Sequence, residues 1–334
     1  MAGKLTFGFL YDFRNPPQWQ RPSETLYAEI LDVIAWTEEA GFAGAWVPEH
    51  HLAGDSYMPS PLVALAAIAA RTKTIKIGSG IALAPLYHPM RFAEDCAVLD
   101  ILAGGRLELG LAIGYRKREY AAFGVDFTKR GRLFDEWLEI VTRLWGGETV
   151  DFDGQHFQLS GSQLRPPPPR GRIPLYIGGF ADKAMERVAT YGDGYIGSPH
   201  VCGTYADKLR EHGKDIGQAK VRITDLTTVV AHDPEAAMNE LAPHFHHVNN
   251  SYAEWNLEDN ALGMEGMKPT SLEEYRNSGS LQILTPDAAI AHYKGMRERM
   301  PLDHVMMMMP PGLPAERFVH YARVLADEVM PAFA

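Results

Sequence analysis

The segment IKIGSGIALAPLYHPMRFAEDCAVLDILAGGRLELGLAI, residues 75–113, contains one complete strand–helix–strand unit. Residues 75–83 and 107–113 are apolar runs typical of buried strands, and Pro89 suits the first turn of a helix between them. Two strands that are joined through a helix pair in parallel, and parallel strands are covered by helices on their faces. The segment therefore predicts an α/β fold with a parallel sheet.

The same unit recurs along most of the chain. Further strands are predicted at residues 5–10, 44–48, 174–179, near Tyr195, and at 222–230 and 304–309. Further helices are predicted at residues 25–40, 61–70, 128–144, 181–191, 234–248 and 315–329. About eight units fill the chain and no Gly-x-Gly-x-x-Gly turn follows the first strand, which favours a (β/α)8 TIM barrel over a doubly wound sheet. We expect a single domain of this kind over residues 1–334.

Two segments interrupt the alternation of strands and helices. Residues 149–159 predict an inserted hairpin around the turn dipeptide Asp153-Gly154. Residues 249–279 show no clear period and are rich in Gly, Asn, Glu and Met. A loop this long inside a compact domain is usually functional or disordered. We expect it to form a lid loop over the mouth of the barrel.

Composition excludes several classes of partner. The formal net charge is −10, which argues against a nucleic-acid or membrane surface because both require a basic footprint. The two cysteines, Cys96 and Cys202, lie far apart, so neither a disulfide framework nor a cysteine zinc site is expected. The first residues do not resemble a signal peptide, and no apolar run is long enough to span a membrane. We therefore expect a cytoplasmic protein.

In a parallel barrel the active site forms at the carboxyl ends of the strands, so polar residues just beyond each strand are candidates. Glu49, His50 and His51 follow the second strand. Side chains alternate along an extended chain, so the two histidines face opposite sides and no metal site is predicted there. One of them can face the mouth as a proton-transfer group near neutral pH, or each can simply hydrogen-bond a loop.

Three further strand ends carry weaker signals. Residues 78–81 are Gly-Ser-Gly-Ile, which allow the close approach of a flat ligand or strained torsions, or reflect plain packing in a tight barrel. Residues 112–117 form an aromatic and basic cluster at the mouth, or a solvated loop. Residues 178–181 place two glycines directly before a helix, where free amides and the helix dipole can bind a phosphate. Taken together, the four strand ends predict a ligand site.

Seven stretches of the chain resemble the bacterial luciferase-like monooxygenase family, and its alpha subunit in particular. They are PEHH (48–51), ARTKTIKIGSGI (70–81), HPMRFAED (88–95), LAGGRLELGLAIGY (102–115), AAFGVD (121–126), PLYIGG (174–179) and EVMPAF (328–333). The resemblance covers essentially the whole chain. Its motifs are specific to the superfamily and do not define one substrate.

The resemblance implies a barrel that holds a reduced flavin, usually FMN, at its C-terminal face. It assigns to His50 the role of the family's catalytic histidine near the reacting flavin, and it places a non-proline cis peptide at Gly80-Ile81. Residues expected to contact the cofactor are Glu49, Gly80, Ile81, Ala112, Tyr115, Gly178, Gly179, Phe180 and Ala181, the last three through phosphate-binding amides. Ile113 departs from the luciferase pattern, which has an arginine on the phosphate. Either Arg116 or another basic residue substitutes for it, or the cofactor is bound differently.

Three functions are compatible with this resemblance. The first is a monooxygenase that uses reduced FMN from a separate flavin reductase, together with O2, to oxidise a small organic substrate. The second is hydride transfer with the 8-hydroxy-5-deazaflavin coenzyme, because family members that use it also have a Gly-Ile pair at the cis position and a deazaflavin cannot form the oxygen adduct. The third is a non-catalytic flavin-binding protein, against which His50 and the expected lid argue. We expect a homodimer and an apolar or aromatic substrate, with a pocket lined by Phe7, Tyr11, Trp46, Tyr115 and Met307.

Overall fold

The computed structural model describes residues 4–260 and 266–334. Its strands are β1 Thr6–Leu10, β2 Gly44–Val47, β3 Lys76–Leu83, β4 Leu107–Ala112, β5 Thr149–Asp153, β6 Gln158–Gln163, β7 Leu175–Ile177, β8 Gly194–Gly197, β9 Val221–Thr224, β10 Thr228–Val230, β11 Gln282–Leu284 and β12 Leu302–Met308. Eight of them close into a parallel barrel in the order β1-β12-β9-β8-β7-β4-β3-β2. The predicted TIM barrel is therefore confirmed.

Helices follow the barrel strands and form the outer layer. They are α1 Ser23–Glu39, α2 Pro61–Arg71, α3 Pro89–Leu102, α4 Lys117–Ala122, α5 Arg130–Trp145, α6 Asp182–Tyr191, α7 Cys202–Glu211, α8 Pro234–Asp259, α9 Leu272–Asn277, α10 Pro286–Arg299 and α11 Ala315–Val324. Pro61 and Pro89 each occupy the start of a helix, where the missing N–H costs no hydrogen bond. Within the described residues, none of the helices is long and apolar enough to cross a membrane.

The predicted hairpin is present as the antiparallel pair β5 and β6. Its turn is held by the carboxylate of Glu136 on α5, which accepts the amides of Gln155 at 2.8 Å, His156 at 2.9 Å and Phe157 at 3.1 Å. The hairpin therefore packs beside α5 and leaves the barrel closed.

The strand predicted at residues 222–230 is wrong in one respect, because the structure divides it into β9 and β10. β9 belongs to the barrel, whereas β10 pairs with β11 outside it. The chain turns at Asp225, whose amide donates to the carbonyl of Met306 at 2.9 Å. The Asp225 carboxylate accepts the hydroxyls of Thr228 at 2.7 Å and Tyr293 at 2.9 Å. These side-chain bonds stabilise the turn that ends β9, although the apolar pattern of the sequence continues past it.

The expected lid loop at residues 249–279 is also corrected. α8 continues to Asp259, and α9 forms a second helix within the segment, so most of the expected loop is helical. Residues 261–265 of that segment lie outside the described residues. Asn250 accounts for part of the missed helix, because its side chain accepts the amide of Thr270 at 3.0 Å and donates to the Thr270 carbonyl at 2.8 Å. Such contacts between distant residues stabilise a helix that lacks a clear apolar period.

The barrel interior leaves no room for side chains at some strand positions. A Cβ atom added to Gly78 would lie 1.8 Å from the carbonyl oxygen of Glu108 on the neighbouring strand β4. A Cβ on Gly80 would lie 2.9 Å from the Met306 side chain. Gly78 therefore serves close strand packing, one of the two interpretations that its sequence allowed.

We predict that Gly78→Ala destabilises the protein by about 3 kcal/mol or more, since the new methyl group meets backbone that cannot yield. Gly203→Ala in α7 is the matched control. Its new Cβ meets nothing within 4 Å, and alanine favours a helix by up to about 1 kcal/mol over glycine. Urea denaturation of both variants measures the difference. Equal free energies of unfolding would contradict the tight packing at Gly78.

Candidate active site

His50 lies just beyond the carboxyl end of β2, at the centre of a buried cluster. Its amide donates to the carbonyl of Met58 at 3.0 Å, and its side chain is almost completely buried. The aromatic rings around it, given by centroid distance, are Tyr57 at 4.8 Å, Trp255 at 5.0 Å, Tyr252 at 5.7 Å and Tyr115 at 5.9 Å. His50 is therefore held in a largely apolar surrounding at the mouth of the barrel.

The carboxylate of Glu119 orients the His50 ring. Glu119 Oε1 lies 3.0 Å from His50 Nδ1 and also accepts the amide of His51 at 2.9 Å and Arg116 Nη1 at 3.1 Å. A carboxylate only accepts hydrogen bonds, so Nδ1 of His50 carries the proton and Nε2 is the acceptor nitrogen of the neutral ring. Nε2 lies 3.5 Å from the hydroxyl of Tyr252.

The surroundings of the His50–Glu119 pair favour a neutral imidazole beside an ionised carboxylate. Burial lowers the pKa of His50, and the nearby guanidinium groups of Arg116 and Arg14 lower it further, against the opposing effect of Glu119. Burial raises the pKa of Glu119, but its hydrogen bonds from His50 and the His51 amide, together with the charge of Arg116, outweigh burial and lower it. A neutral histidine can accept a proton at physiological pH.

One side of the site is formed by the C-terminal half of α8, where a loop was expected. Tyr252 and Trp255 project from this half, and their ring centroids are 5.2 Å apart. The guanidinium carbon of Arg116 lies 4.1 Å from the centroid of the Trp255 ring. At the end of α8, Asp259 accepts the amide of Lys117 at 3.2 Å. These contacts attach the helix to α4, so α8 covers His50.

The second histidine of the motif bonds a different carboxylate. His51 Nε2 lies 2.9 Å from Glu49 Oε1, which also accepts the Tyr87 hydroxyl at 2.7 Å, and Glu49 Oε2 accepts the amide of Leu83 at 2.7 Å. Both oxygens of Glu49 are thus engaged within the protein, and they connect the ends of β2 and β3. The expected contact of Glu49 with a cofactor stays a prediction.

The other predicted cofactor residues lie along one arc of the mouth, because β7, β4, β3 and β2 are consecutive neighbours in the barrel. The Gly80-Ile81 peptide is cis, as the resemblance implied. Ala112 is the last residue of β4, and Tyr115 follows that strand. The segment between β7 and α6 contains Gly178, Gly179, Phe180 and Ala181. The structure therefore places these residues on neighbouring strand ends, of which Tyr115 contacts His50, and their roles stay predictions.

The segment before α6 presents free backbone donors. Gly179 has a positive φ of 144°, and Ala181 is the N-cap residue of α6. No hydrogen bond between described residues uses the amides of Gly179, Phe180 or Ala181. Phe180 is exposed, so the segment is open to solvent. Free amides at the start of a ten-residue helix fit an anion such as a phosphate.

Arg116, one candidate for the phosphate contact, bonds groups within the protein. Its side chain is 1% exposed and donates to the His51 carbonyl at 2.8 Å as well as to Glu119. These bonds direct the guanidinium toward His50. These contacts do not favour Arg116 as a phosphate ligand, and the expectation that Arg116 or another basic residue replaces the arginine at Ile113 stays a prediction.

Four of the five expected pocket residues do not line the mouth. Phe7 packs against Tyr293 with ring centroids 5.2 Å apart, and the Tyr11 hydroxyl bonds Thr37 at 3.0 Å, so both face outer helices. Met307 packs with the same outer layer, in a small cavity between β12 and α11. Trp46 Nε1 donates to His304 Nε2 at 2.9 Å inside the barrel. Alternation of side chains along a strand explains the errors at Phe7, Tyr11 and Met307, whereas Trp46 faces the barrel interior and is bonded there to His304. Of the five residues, Tyr115 contacts His50.

The sequence analysis missed several residues that surround His50, among them Glu119, Tyr252 and Trp255. Glu119 lies three residues after Arg116, a spacing that pairs opposite charges on a helix. Phe245 precedes Tyr252 by seven residues and Trp255 by ten, which is a helical spacing hidden among polar residues. Within the described residues, no group of three or more His, Cys, Asp or Glu side chains could hold a metal ion.

The barrel and its arc of strand-end residues agree with the family whose model matches the chain. The model of the luciferase-like monooxygenases matches residues 5–307. The chain belongs to the luciferase-like monooxygenase family and is an oxidoreductase of that flavin-dependent class, with a cofactor of the flavin type.

Several proteins are similar to this chain in sequence. The oxygenase component of the flavin-dependent trigonelline monooxygenase of Acinetobacter baylyi is 24% identical over 340 residues, which cover 94% of this chain and 92% of the relative. The 4-hydroxyprotoasukamycin monooxygenase of Streptomyces nodosus subsp. asukaensis is 30% identical over 267 residues, covering 75% of this chain and 71% of the relative. An F420-dependent glucose-6-phosphate dehydrogenase of Nocardia farcinica is 32% identical over 193 residues, covering 54% and 56%. The match to the uncharacterized protein y4vJ of Sinorhizobium fredii, 29% identical, spans 66% of this chain and 65% of that protein.

Solved structures share the fold over the whole chain. Monooxygenase RslO1 from Streptomyces bottropensis has a TM-score of 0.84 at 21% identity, covering 99% of this chain and 100% of that chain. The oxygenating constituent of 3,6-diketocamphane monooxygenase from the CAM plasmid of Pseudomonas putida, in complex with FMN, has a TM-score of 0.77 at 17% identity, covering 99% of each chain. At these identities the structures establish the fold alone.

We predict that Glu119→Gln moves the acid limb of the kcat/KM profile to lower pH. The wild-type limb should lie below the ordinary histidine pKa of 6.5, because burial lowers the pKa of His50. Removing the negative charge of Glu119 takes away the effect that opposes this shift, so His50 stays neutral at still lower pH. Glu49→Gln is the control, because Glu49 bonds His51 instead. An acid limb at the same pH in wild type and Glu119→Gln would contradict the pairing.

Proposed function

We propose that the protein is a monooxygenase that uses reduced FMN, delivered by a separate flavin reductase, and O2 to oxidise a small organic substrate. The proposal rests on a buried His50 that is oriented by Glu119 and lies on the same arc of strand ends as the free amides of Gly179, Phe180 and Ala181. One position offers proton transfer and the other offers an anion site. A flavin mononucleotide, which carries a phosphate and a redox-active ring, would need both.

The residues present fit that cofactor on two counts. The amides before α6 have no protein acceptor among the described residues, as a phosphate seat requires. The hydroxyl of Tyr115 is buried without a hydrogen-bond partner among them, and it lies on the arc between the amides and His50. A buried unpaired hydroxyl normally indicates a missing partner. When bound, the flavin would supply the chemistry that activates O2.

His50 would move the proton in this reaction. Its Nδ1–H is held by Glu119, so Nε2 can accept a proton from the reacting centre and return it. Tyr252 and Trp255 cover the ring from the α8 side and exclude water, which protects a proton-transfer site from side reactions. The cluster thus supports general acid–base catalysis more directly than passive flavin binding.

Relatives supply the rest of the proposal. The trigonelline enzyme is named as an oxygenase component, which supports a separate reductase for this chain as well. The FMN complex of a structure with the same fold supports FMN as the cofactor. Cys96 and Cys202 are both free thiols, which agrees with the cytoplasmic location that we propose.

Hydride transfer with the deazaflavin coenzyme is the second candidate. It is favoured by Ile113, which stands where the luciferase pattern has a phosphate-contacting arginine, and by the orientation of Arg116 toward His50. The F420-dependent relative shows that the family includes this chemistry. The substrate in either case is a small molecule.

We also propose a homodimer formed through α2 and α3. Val63 on α2 is 73% exposed, and Val98, Ile101 and Leu102 are exposed on α3, which packs against α2. A helix that is apolar on all sides, as α2 is, is normally buried. A second copy of the same face would cover these side chains.

We predict that Val63→Lys converts a dimer into a monomer, because a lysine at the apolar face cannot be buried without loss of solvation. Light scattering should give twice the 37.1 kDa mass of one chain for the wild type and 37.1 kDa for the variant. Leu257→Lys, at a similarly exposed leucine on α8, should leave the mass unchanged. A monomeric wild type would refute the proposed dimer.

We predict that His50→Ala lowers turnover by about 10²- to 10⁴-fold with supplied reduced FMN, O2 and a panel of aldehydes, ketones and aromatics. FMN affinity should change little, because the proposed phosphate seat lies between β7 and α6. The neighbouring variant His51→Ala serves as control. It should lower the stability of the fold and leave turnover largely intact, because His51 bonds Glu49. Unchanged turnover in His50→Ala would refute the catalytic role, and loss of FMN binding would make His50 a cofactor-binding residue.

A further inference from the structure

Arg14 is a buried arginine with unused hydrogen-bond donors. It follows β1 at the carboxyl end of the barrel and is 1% exposed. Within the described part of the chain, neither of its terminal nitrogens, Nη1 and Nη2, has a hydrogen-bond partner. Buried polar groups in native proteins are almost always paired, and an unpaired guanidinium is costly. The two free nitrogens therefore point to a partner that the protein chain does not supply.

The position of the guanidinium is fixed from its Nε side. Arg14 Nε donates to Asp55 Oδ2 at 2.5 Å, and the same oxygen lies 2.7 Å from Nε2 of His247 on α8. The amide of Asn15 donates to the Asp55 carbonyl at 2.7 Å. With Nε occupied, the edge formed by Nη1 and Nη2 remains free. This edge presents parallel N–H donors, the geometry that binds a carboxylate with two hydrogen bonds.

Arg106 shows how this chain satisfies an arginine with a structural role. Its terminal nitrogens donate four hydrogen bonds, to the carbonyls of Ala69, Thr72 and Ile75 and to the Thr72 hydroxyl. Arg106 therefore attaches the start of β4 to α2 and to the loop after it, without unused terminal donors. Arg14 is more deeply buried than Arg106, yet its terminal donors have no partner in the described residues. Both terminal nitrogens of Arg14 thus lack the partners that those of Arg106 have.

Arg14 lies next to the catalytic cluster. Its guanidinium carbon is 4.8 Å from the ring centroid of Tyr57 and 5.9 Å from that of Trp255. His50 contacts the same two rings, at 4.8 Å and 5.0 Å. The charge of Arg14 also contributes to lowering the pKa of His50. A small molecule held at Arg14 would therefore extend along Tyr57 and Trp255 toward His50.

We propose that the Nη1–Nη2 edge of Arg14 binds a carboxylate group of the substrate, whose apolar or aromatic body lies against Tyr57 and Trp255. The inference rests on the proposed function, because it names the class of molecule that His50 would act on. Two carboxylates offset the charge of Arg14: Asp55 pairs with its Nε, and Asp12 accepts its backbone amide. Recognition would thus come from two directed hydrogen bonds more than from a positive field. The substrate class becomes an organic acid instead of a purely apolar compound.

The proposal is tested by equilibrium binding of acids and their neutral amides. Calorimetry compares benzoate with benzamide, hexanoate with hexanamide, and indole-3-acetate with indole-3-acetamide, on the full chain with and without oxidised FMN. The wild type should prefer at least one acid over its amide by about 10- to 100-fold, the range expected for charge-assisted hydrogen bonds. Arg14→Gln should remove that preference, and Arg14→Lys should reduce it about 10-fold, because lysine keeps the charge but loses the planar fork.

Arg21→Gln is the matched control, because Arg21 lies in the same segment, pairs with Glu29 and is more exposed. It should keep the preference of the wild type. Circular dichroism checks that each variant is folded. If Arg14→Gln does not fold, the binding preference of Arg14→Lys decides the test. A wild type that prefers no acid over its amide, or a folded Arg14 variant with the full preference, would overturn the proposal. Binding without FMN reads the Arg14 site alone, whereas failure of the wild type to bind FMN would count against the proposed function only.

Discussion

Three hydrogen-bond donors converge on one oxygen of the buried Glu119 carboxylate, and the arrangement of the mouth depends on them. The donors are His50 Nδ1, the amide of His51 and Arg116 Nη1. They connect α4 to the end of β2 and place a negative charge where burial alone would disfavour it. The three donors stabilise this charge, because a hydrogen bond to a charged group contributes about 1.5 to 3 kcal/mol.

The consequences extend from this oxygen to the rest of the site. His50 is held with its proton on Nδ1 and its acceptor nitrogen toward Tyr252. Arg116 is directed beneath the ring of Trp255, so the C-terminal half of α8 packs over the histidine. The same guanidinium donates to the His51 carbonyl, so its bonds lie on the His50 side of the mouth. One buried carboxylate thus accounts for the orientation of both His50 and Arg116.

Much of this molecule could be predicted from its sequence, for physical reasons that differ between its parts. The strand–helix–strand unit at residues 75–113 predicted the barrel, because its apolar runs are long and its proline marks a helix start. His50 could be placed at the mouth because a strand end fixes its position. Glu119 could not, because two of its three partners, His50 and His51, follow a separate strand that only the folded barrel brings near. Tyr252 and Trp255 were hidden in a polar run whose helix depends on distant contacts such as Asn250 with Thr270. Phe7 was misplaced because apolar composition does not indicate which face of a strand points toward the outer helices.

We propose that the mouth binds FMN and uses it with O2. The most direct measurement is equilibrium binding of FMN and of the 8-hydroxy-5-deazaflavin coenzyme to the wild type, each in its oxidised and reduced form. We expect reduced FMN to bind at least about 10-fold more tightly than the reduced deazaflavin, a difference in binding free energy of about 1.4 kcal/mol. Tighter binding of the deazaflavin would contradict the proposed monooxygenase and favour hydride transfer. Binding of neither cofactor would contradict both proposed functions.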